Sequence, residues 1–181
     1  MGKFVLGAVF GVIVLMVVVV GYFLSGRAPV ATDAPPMPLE KFLAKKALHA
    51  VLDRDMPKTV PIPVNEPNYL AGAQVYKDNC AVCHGLPGQP ATAIAHGMFP
   101  KPPELMKGKG VTDDEPGETY WKVAHGIRLT GMPGFQSSLT DTQMWQVSLL
   151  LANADKLPDS VKASLATPAP PTPSANVKGV L

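Results

Sequence analysis

The chain has 181 residues, with 16 Lys/Arg against 14 Asp/Glu and a net charge of +2. That balance is too even to argue for a nucleic-acid partner, and the length suits one modest domain plus extensions. The hydrophobic fraction of 46% is raised by one segment at the start, and the 20 prolines concentrate in linkers and a tail. Phe4 to Leu24 runs FVLGAVFGVIVLMVVVVGYFL, 21 residues without a charge, against the ~20 that a helix needs to cross a bilayer core. Tyr22 and Phe23 sit near one end, where aromatic rings favour the interface. The rival reading is a cleaved signal peptide, whose apolar region spans only ~7–15 residues before a small-x-small site. This run is longer and has no A-x-A site, although Leu24-Ser25-Gly26 would be tolerated as one, so residues 1–27 are expected to be an uncleaved transmembrane anchor.

Residues 28–67 are expected to form a proline-rich linker, with Pro29, Pro35, Pro36 and Pro38 favouring extended geometry. Within it, Leu39, Phe42, Leu43, Ala47, Ala50 and Val51 recur near helical spacing, with Lys41, Lys45 and Lys46 elsewhere. This predicts an amphipathic helix over about 39–56. It either lies on the bilayer with its lysines toward lipid phosphates or, as its modest apolar face favours, packs on the following domain or a partner subunit. Residues 57–67 are a second proline-rich stretch, expected to separate the anchor from that domain. A helix is predicted from Tyr69 to about Cys80, on the spacing of Leu70, Ala73 and Tyr76.

Cys80-Ala81-Val82-Cys83-His84 follows, a C-x-x-C-H pattern made with the only two cysteines in the chain. This is the attachment pattern of c-type haem. Two thiols one short turn apart add to the two vinyl groups, and the adjacent His84 supplies an imidazole nitrogen to the iron. A structural zinc site needs four ligands and finds three here, and a thioredoxin-like motif expects a βαβ setting that this Pro/Gly-rich region lacks. One covalently bound haem c is therefore expected. The other ring nitrogen of His84 needs an acceptor, and a carbonyl within Gly85–Pro90 is the expected one.

Gly72-x-x-x-Tyr76-x-x-x-Cys80 resembles the first helix of class I c-type cytochromes. In that family a glycine and an aromatic residue of this helix pack against the last helix. Further on, Ile127-Arg128-Leu129-Thr130-Gly131-Met132-Pro133-Gly134-Phe135 resembles the G-M-P-x-F segment of bacterial members. The resemblance implies Met132, 48 residues after His84, as the second axial ligand. His125 and His96 are the rival ligands. Residues 91–110 are expected to be irregular and to wrap the haem edge, which makes Met98, Phe99 and Leu105 candidate contacts beside Trp121, Arg128 and Phe135. Arg128 is a candidate for a haem propionate, or a solvated charge.

A short helix is predicted over Thr119–His125, stopped by Gly126. Thr140-Asp141-Thr142-Gln143 reads as a capping box that opens the last helix. The haem domain is placed at 68–157, where seven basic and eight acidic residues assign no docking face. Lys101, Lys107 and Lys109 cluster in its loop. Residues 158–181, rich in Ala, Pro, Ser and Thr, are expected to be a disordered tail.

The fold class expected is all-α, a small class I cytochrome c fold of several helices around one haem, preceded by a transmembrane helix. The resemblance covers about half the chain and implies one-electron transfer in a respiratory or photosynthetic chain, with no small-molecule substrate. It also implies a single-pass protein of the bacterial inner membrane, with the haem domain in the periplasm. Its partners would be redox proteins. The alternative is a fixed cytochrome subunit of a larger oxidoreductase complex, such as a quinol-oxidising complex, a terminal oxidase or a dehydrogenase. A haem enzyme or gas sensor would require that Met132 not bind iron.

Overall fold

A computed structural model describes residues 1–107 and 112–167. Among these residues the secondary structure is entirely helical. The chain divides into two compact units, Met1–Lys41 and the residues from Phe42 onward.

The first unit holds α1, Gly2–Leu24, whose 23 residues are exposed throughout. At 1.5 Å per residue α1 is about 34 Å long, enough for the ~30 Å hydrocarbon core. At the start of the next helix, the Glu40 carboxylate accepts a hydrogen bond from the Met37 N–H, three residues earlier, at 2.7 Å. That helix, α2, is Glu40–Asp55. Its first half leaves Phe42 and Leu43 exposed, whereas Leu52 in its second half is 1% exposed. The apolar spacing of α2 thus serves packing at its C-terminal end.

The second unit is built on α3, Glu66–Asn79, and α7, Asp141–Ala152. Asn65 caps α3 by accepting from the Asn68 N–H, with Pro67 in the first turn, where its missing N–H costs nothing. Asn65 and Pro67 start α3 three residues earlier than the apolar spacing alone indicates. The capping box at Thr140 and Gln143 is present in both directions and opens α7. The two helices cross at Gly72, where a β-carbon would lie 2.3 Å from the Gln146 carbonyl oxygen and 3.2 Å from Leu150 Cβ. Only glycine allows that approach. Ala73, Tyr76, Val147, Leu149 and Leu150 are all at most 1% exposed around the crossing, and each large side chain so buried stabilises the fold by about 1.5–3 kcal/mol.

Between these helices run α4, Ala81–His84, α5, Ala93–Gly97, and α6, Pro116–His125. Thr92 caps α5, giving a helical turn inside the stretch expected to be irregular. Pro116 opens α6 three residues ahead of the predicted start, because proline at the first helical position presets φ.

Two expectations are corrected. Residues 57–67 do not stand clear of the domain. A β-carbon on Gly117 would lie 1.9 Å from the Pro57 carbonyl oxygen, and Ile62 packs at the core. Disorder from Pro158 is also overturned up to residue 167. Asp159–Ala166 form α8, with Val161 and Leu165 at most 1% exposed. Their four-residue spacing puts both on one face, which packs on α3. Lys77 of α3 donates to the Ser164 carbonyl at 3.0 Å. The rest of the expected tail, 168–181, lies outside the described residues.

Gly72→Ala should destabilise the protein by about 1–3 kcal/mol, the usual cost of forcing atoms into a packed crossing. Chemical denaturation of the haem-loaded protein measures this, and an unchanged midpoint would contradict the close approach.

Candidate haem site

Helix α3 ends where the chemistry begins. Cys80 closes α3 through its N–H to the Tyr76 carbonyl at 2.8 Å and also starts α4, accepting from the Cys83 and His84 N–H groups at 3.1 and 2.9 Å. That single turn holds the two thiols and the imidazole in one rigid unit. Gly85 then takes φ +76°, a left-handed conformation that ends α4 at little cost only for glycine. The Tyr76 hydroxyl, from a side chain 0% exposed, donates to the Gly85 carbonyl at 2.7 Å and fixes the peptide that follows His84. Burial pushes the Tyr76 phenol above its ordinary pKa, so it stays a donor.

His84 Nδ1 donates to the Pro103 carbonyl at 2.8 Å. A carbonyl only accepts, so the proton sits on Nδ1 and Nε2 keeps its lone pair free for a metal. This corrects the expectation of an acceptor within Gly85–Pro90, since the partner comes from 19 residues downstream. Burial lowers the His84 pKa, opposed by the bond to Pro103, and favours the neutral ligand form. Burial, with Cys83 adding to it, pushes the Cys80 thiol up to about 12, which makes it unreactive as a free thiolate near neutrality.

The opposite half of the site is the loop 126–135, which returns onto the C-terminus of α6. The Lys122, Val123 and Ala124 carbonyls, which a helix end leaves without partners, accept from Gly126, Phe135 and Gln136 at 2.9, 2.9 and 3.2 Å. Gly126, at φ +68°, faces backbone so closely that a β-carbon would lie 2.6 Å from the Gly134 nitrogen. Inside the loop, Ile127 N–H donates to the Met132 carbonyl at 3.2 Å, and the Thr130 hydroxyl to the Ile127 carbonyl at 2.6 Å. Met132 is thus held at a fixed point, its side chain packed at the edge of the core.

These two halves enclose an apolar cavity of about 230 Å³. Cys80, Cys83, His84 and Met132 all line it, as do Met98, Leu105 and Phe135. Phe99, Trp121 and Arg128 do not. Arg128 is exposed, and Trp121 packs its ring against His125 at 4.8 Å. His125 and His96, the rival ligands, are exposed and outside this lining. Lys101 is at the rim, Lys107 pairs with Glu104 at 3.2 Å, and Lys109 lies outside the described residues. Among the described residues no group of three or more His, Cys, Asp and Glu is arranged to hold a bare metal ion. A flat macrocycle with iron at its centre suits this lining: two thiols for its edge, an imidazole and a thioether for its metal, and apolar walls for its faces.

Several lining residues have no sequence signature. Leu48 comes from α2, and Thr119, Lys122 and Val123 come from successive turns of α6. Their i, i+3, i+4 spacing marks one helix face, but nothing in it says which face meets the cavity.

The helical fold and the C-x-x-C-H cavity define a c-type cytochrome with covalently bound haem c. Residues 67–149 match the family model described as cytochrome c oxidase, cbb3-type, subunit III. The Cbb3-type cytochrome c oxidase subunit FixP of Sinorhizobium medicae is 32% identical over 96 residues, which are 49% of this chain and 30% of that protein. The match thus spans under a third of that relative's length. A chain of the Kuenenia stuttgartiensis reducing HAO-like protein complex is 25% identical, with 57% of this chain and 53% of that one aligned at a TM-score of 0.45.

Tyr76→Phe keeps the ring packing and leaves the Gly85 carbonyl without its donor. The expected cost is about 1 kcal/mol of stability, measured by denaturant unfolding with an unchanged m-value.

Proposed function

We propose that this protein is a one-electron carrier held at the membrane, with His84 and Met132 as the axial ligands of its haem iron. The observation that carries the reading is that Cys80, Cys83, His84 and Met132, from two separate segments, line one cavity. When bound, the haem supplies a reversible Fe(II)/Fe(III) couple. The chain supplies the rest. Cys80 and Cys83 tether the group, and the Pro103 carbonyl orients His84 and raises its basicity as a ligand. Met132 would offer its thioether to the iron, which would raise the potential and leave no open site for small-molecule chemistry. Apolar walls exclude water and keep reorganisation on electron transfer small. Helix α1 is the anchor, and the haem domain, which we place at residues 68–157, lies on the periplasmic side of the inner membrane.

Met132→Ala tests the ligand assignment. The oxidised wild type should show the weak near-infrared methionine–iron band, and the variant should lose it, fall in reduction potential and bind carbon monoxide when reduced. An unaltered band in the variant would shift attention to His125 and His96. Carbon monoxide binding by the native reduced protein would instead favour a haem enzyme or gas sensor.

A second reading has its own support. The matching family model and the FixP relative are both named as oxidase subunits, which favours a fixed subunit of a terminal oxidase or similar complex over a free carrier. Purification of the native protein in mild detergent should then give a stoichiometric complex. Isolation as a lone, reducible chain would support the free carrier.

A further inference from the structure

Helix α2 lies ahead of residues 67–149, the stretch that matches the family model, yet it reaches the haem cavity. Among the described residues that line the cavity, Leu48 alone comes from before that stretch. Leu48, Val51 and Leu52 follow the i, i+3, i+4 spacing that puts side chains on one helix face. All three are withdrawn from solvent, Leu52 to 1% exposure and the other two to half-burial. Phe42 and Leu43 lie off that face and are exposed. A helix of 16 residues is marginal on its own in water, so α2 is held by what this one face packs on.

The segment that follows α2 is fastened down as well. The Met56 N–H donates to the Leu52 carbonyl at 3.0 Å and carries the helical pattern one residue further. Pro57 then lays its carbonyl so close to α6 that a β-carbon on Gly117 would lie 1.9 Å from the oxygen. Ile62 packs at the core, and the Pro63 carbonyl accepts from the Asn68 side-chain amide at 2.8 Å, in the first turn of α3. The chain from Leu52 to Pro63 is thus tied to the domain by Leu52, Pro57, Ile62 and Pro63 in turn. Leu48 sits one helical turn ahead of the first of these ties, against the cavity.

We propose that α2 is a fixed cap on the haem site, with Leu48 touching the bound group and keeping water from that side of it. The proposal rests on the haem occupying the cavity lined by His84 and Met132. Going from Fe(II) to Fe(III) adds a positive charge, which an apolar wall without water disfavours. Leu48 therefore holds the reduction potential up. It does so from outside the stretch that matches the family model, so this chain sets its potential partly by an element separate from the axial ligands and their loops.

The test is NMR of the full-length, haem-loaded protein in detergent, with leucine methyl groups labelled and the Leu48 signals assigned by their loss in Leu48→Met. In the reduced, diamagnetic state the ring current of the macrocycle should move the Leu48 methyls out of the ordinary leucine range. They should move again on oxidation, whereas those of the exposed Leu43 should do neither. Leu48 methyls in the ordinary range in both states would overturn the proposal. A Met132 methyl resonance shifted far upfield by the macrocycle reports the underlying pocket independently. Its absence would sink the pocket reading, while its presence beside unshifted Leu48 methyls would sink only the cap. Leu48→Asn should lower the reduction potential, with Leu48→Met holding it near the wild-type value and Leu43→Asn leaving it unmoved. An unchanged potential in Leu48→Asn, or an equal fall in Leu43→Asn, would contradict the cap. If Leu48→Asn does not load haem, Leu48→Ala carries the same comparison.

Discussion

Between Gly72 and the Gln146 carbonyl there is no room for a β-carbon, and the geometry of the domain follows from that contact. Close approach of α3 and α7 lets Tyr76 and Leu150 disappear from solvent together. Tyr76, fixed in the core at one end of its side chain, holds the Gly85 carbonyl at the other. One helix crossing thus sets both the packing and the peptide behind His84. Interiors packed this densely pass on small displacements, so the position of the imidazole is tied to the distance between two helix backbones.

The methionine side of the site is held by a different device. Helix ends leave carbonyls unpaired, and α6 finds partners for three of them in the loop that carries Met132 and the residue just after it. Gly126 and Gly134 allow loop and helix to lie backbone against backbone. The loop is therefore held by main-chain hydrogen bonds, and its exposed tip at Leu129 and Arg128 is free to vary.

Much of this was legible in the sequence because it rests on local rules. Cys80, Cys83 and His84 are fixed by a five-residue pattern, and the capping box at Thr140 needs only four positions. Met132 was marked by its glycine and proline neighbours. The partner of His84 was illegible, because a main-chain carbonyl carries no side-chain signature and Pro103 reaches it across an irregular segment. Helix α8 was hidden by composition: Ala and Ser dominate it, and two buried residues, Val161 and Leu165, suffice to hold it. The haem contacts divided by backbone direction. Met98 and Leu105 face the cavity while Phe99, next to Met98, does not, and hydrophobicity alone does not separate neighbours in an irregular stretch.

The pairing of α3 with α7 and α8 joins segments about 75–95 residues apart, whereas nearly everything that touches the cavity lies in the stretch between them. The domain is a clasp: its two ends supply most of the fixed core, and its middle supplies the electronic surroundings of the cofactor. Those tasks are separable in sequence space. Substitutions in the middle can retune polarity, loop length and partner fit while the clasp stays shut. A lineage of such proteins can therefore shift its driving force, or change the proteins it serves, without first finding a new way to fold.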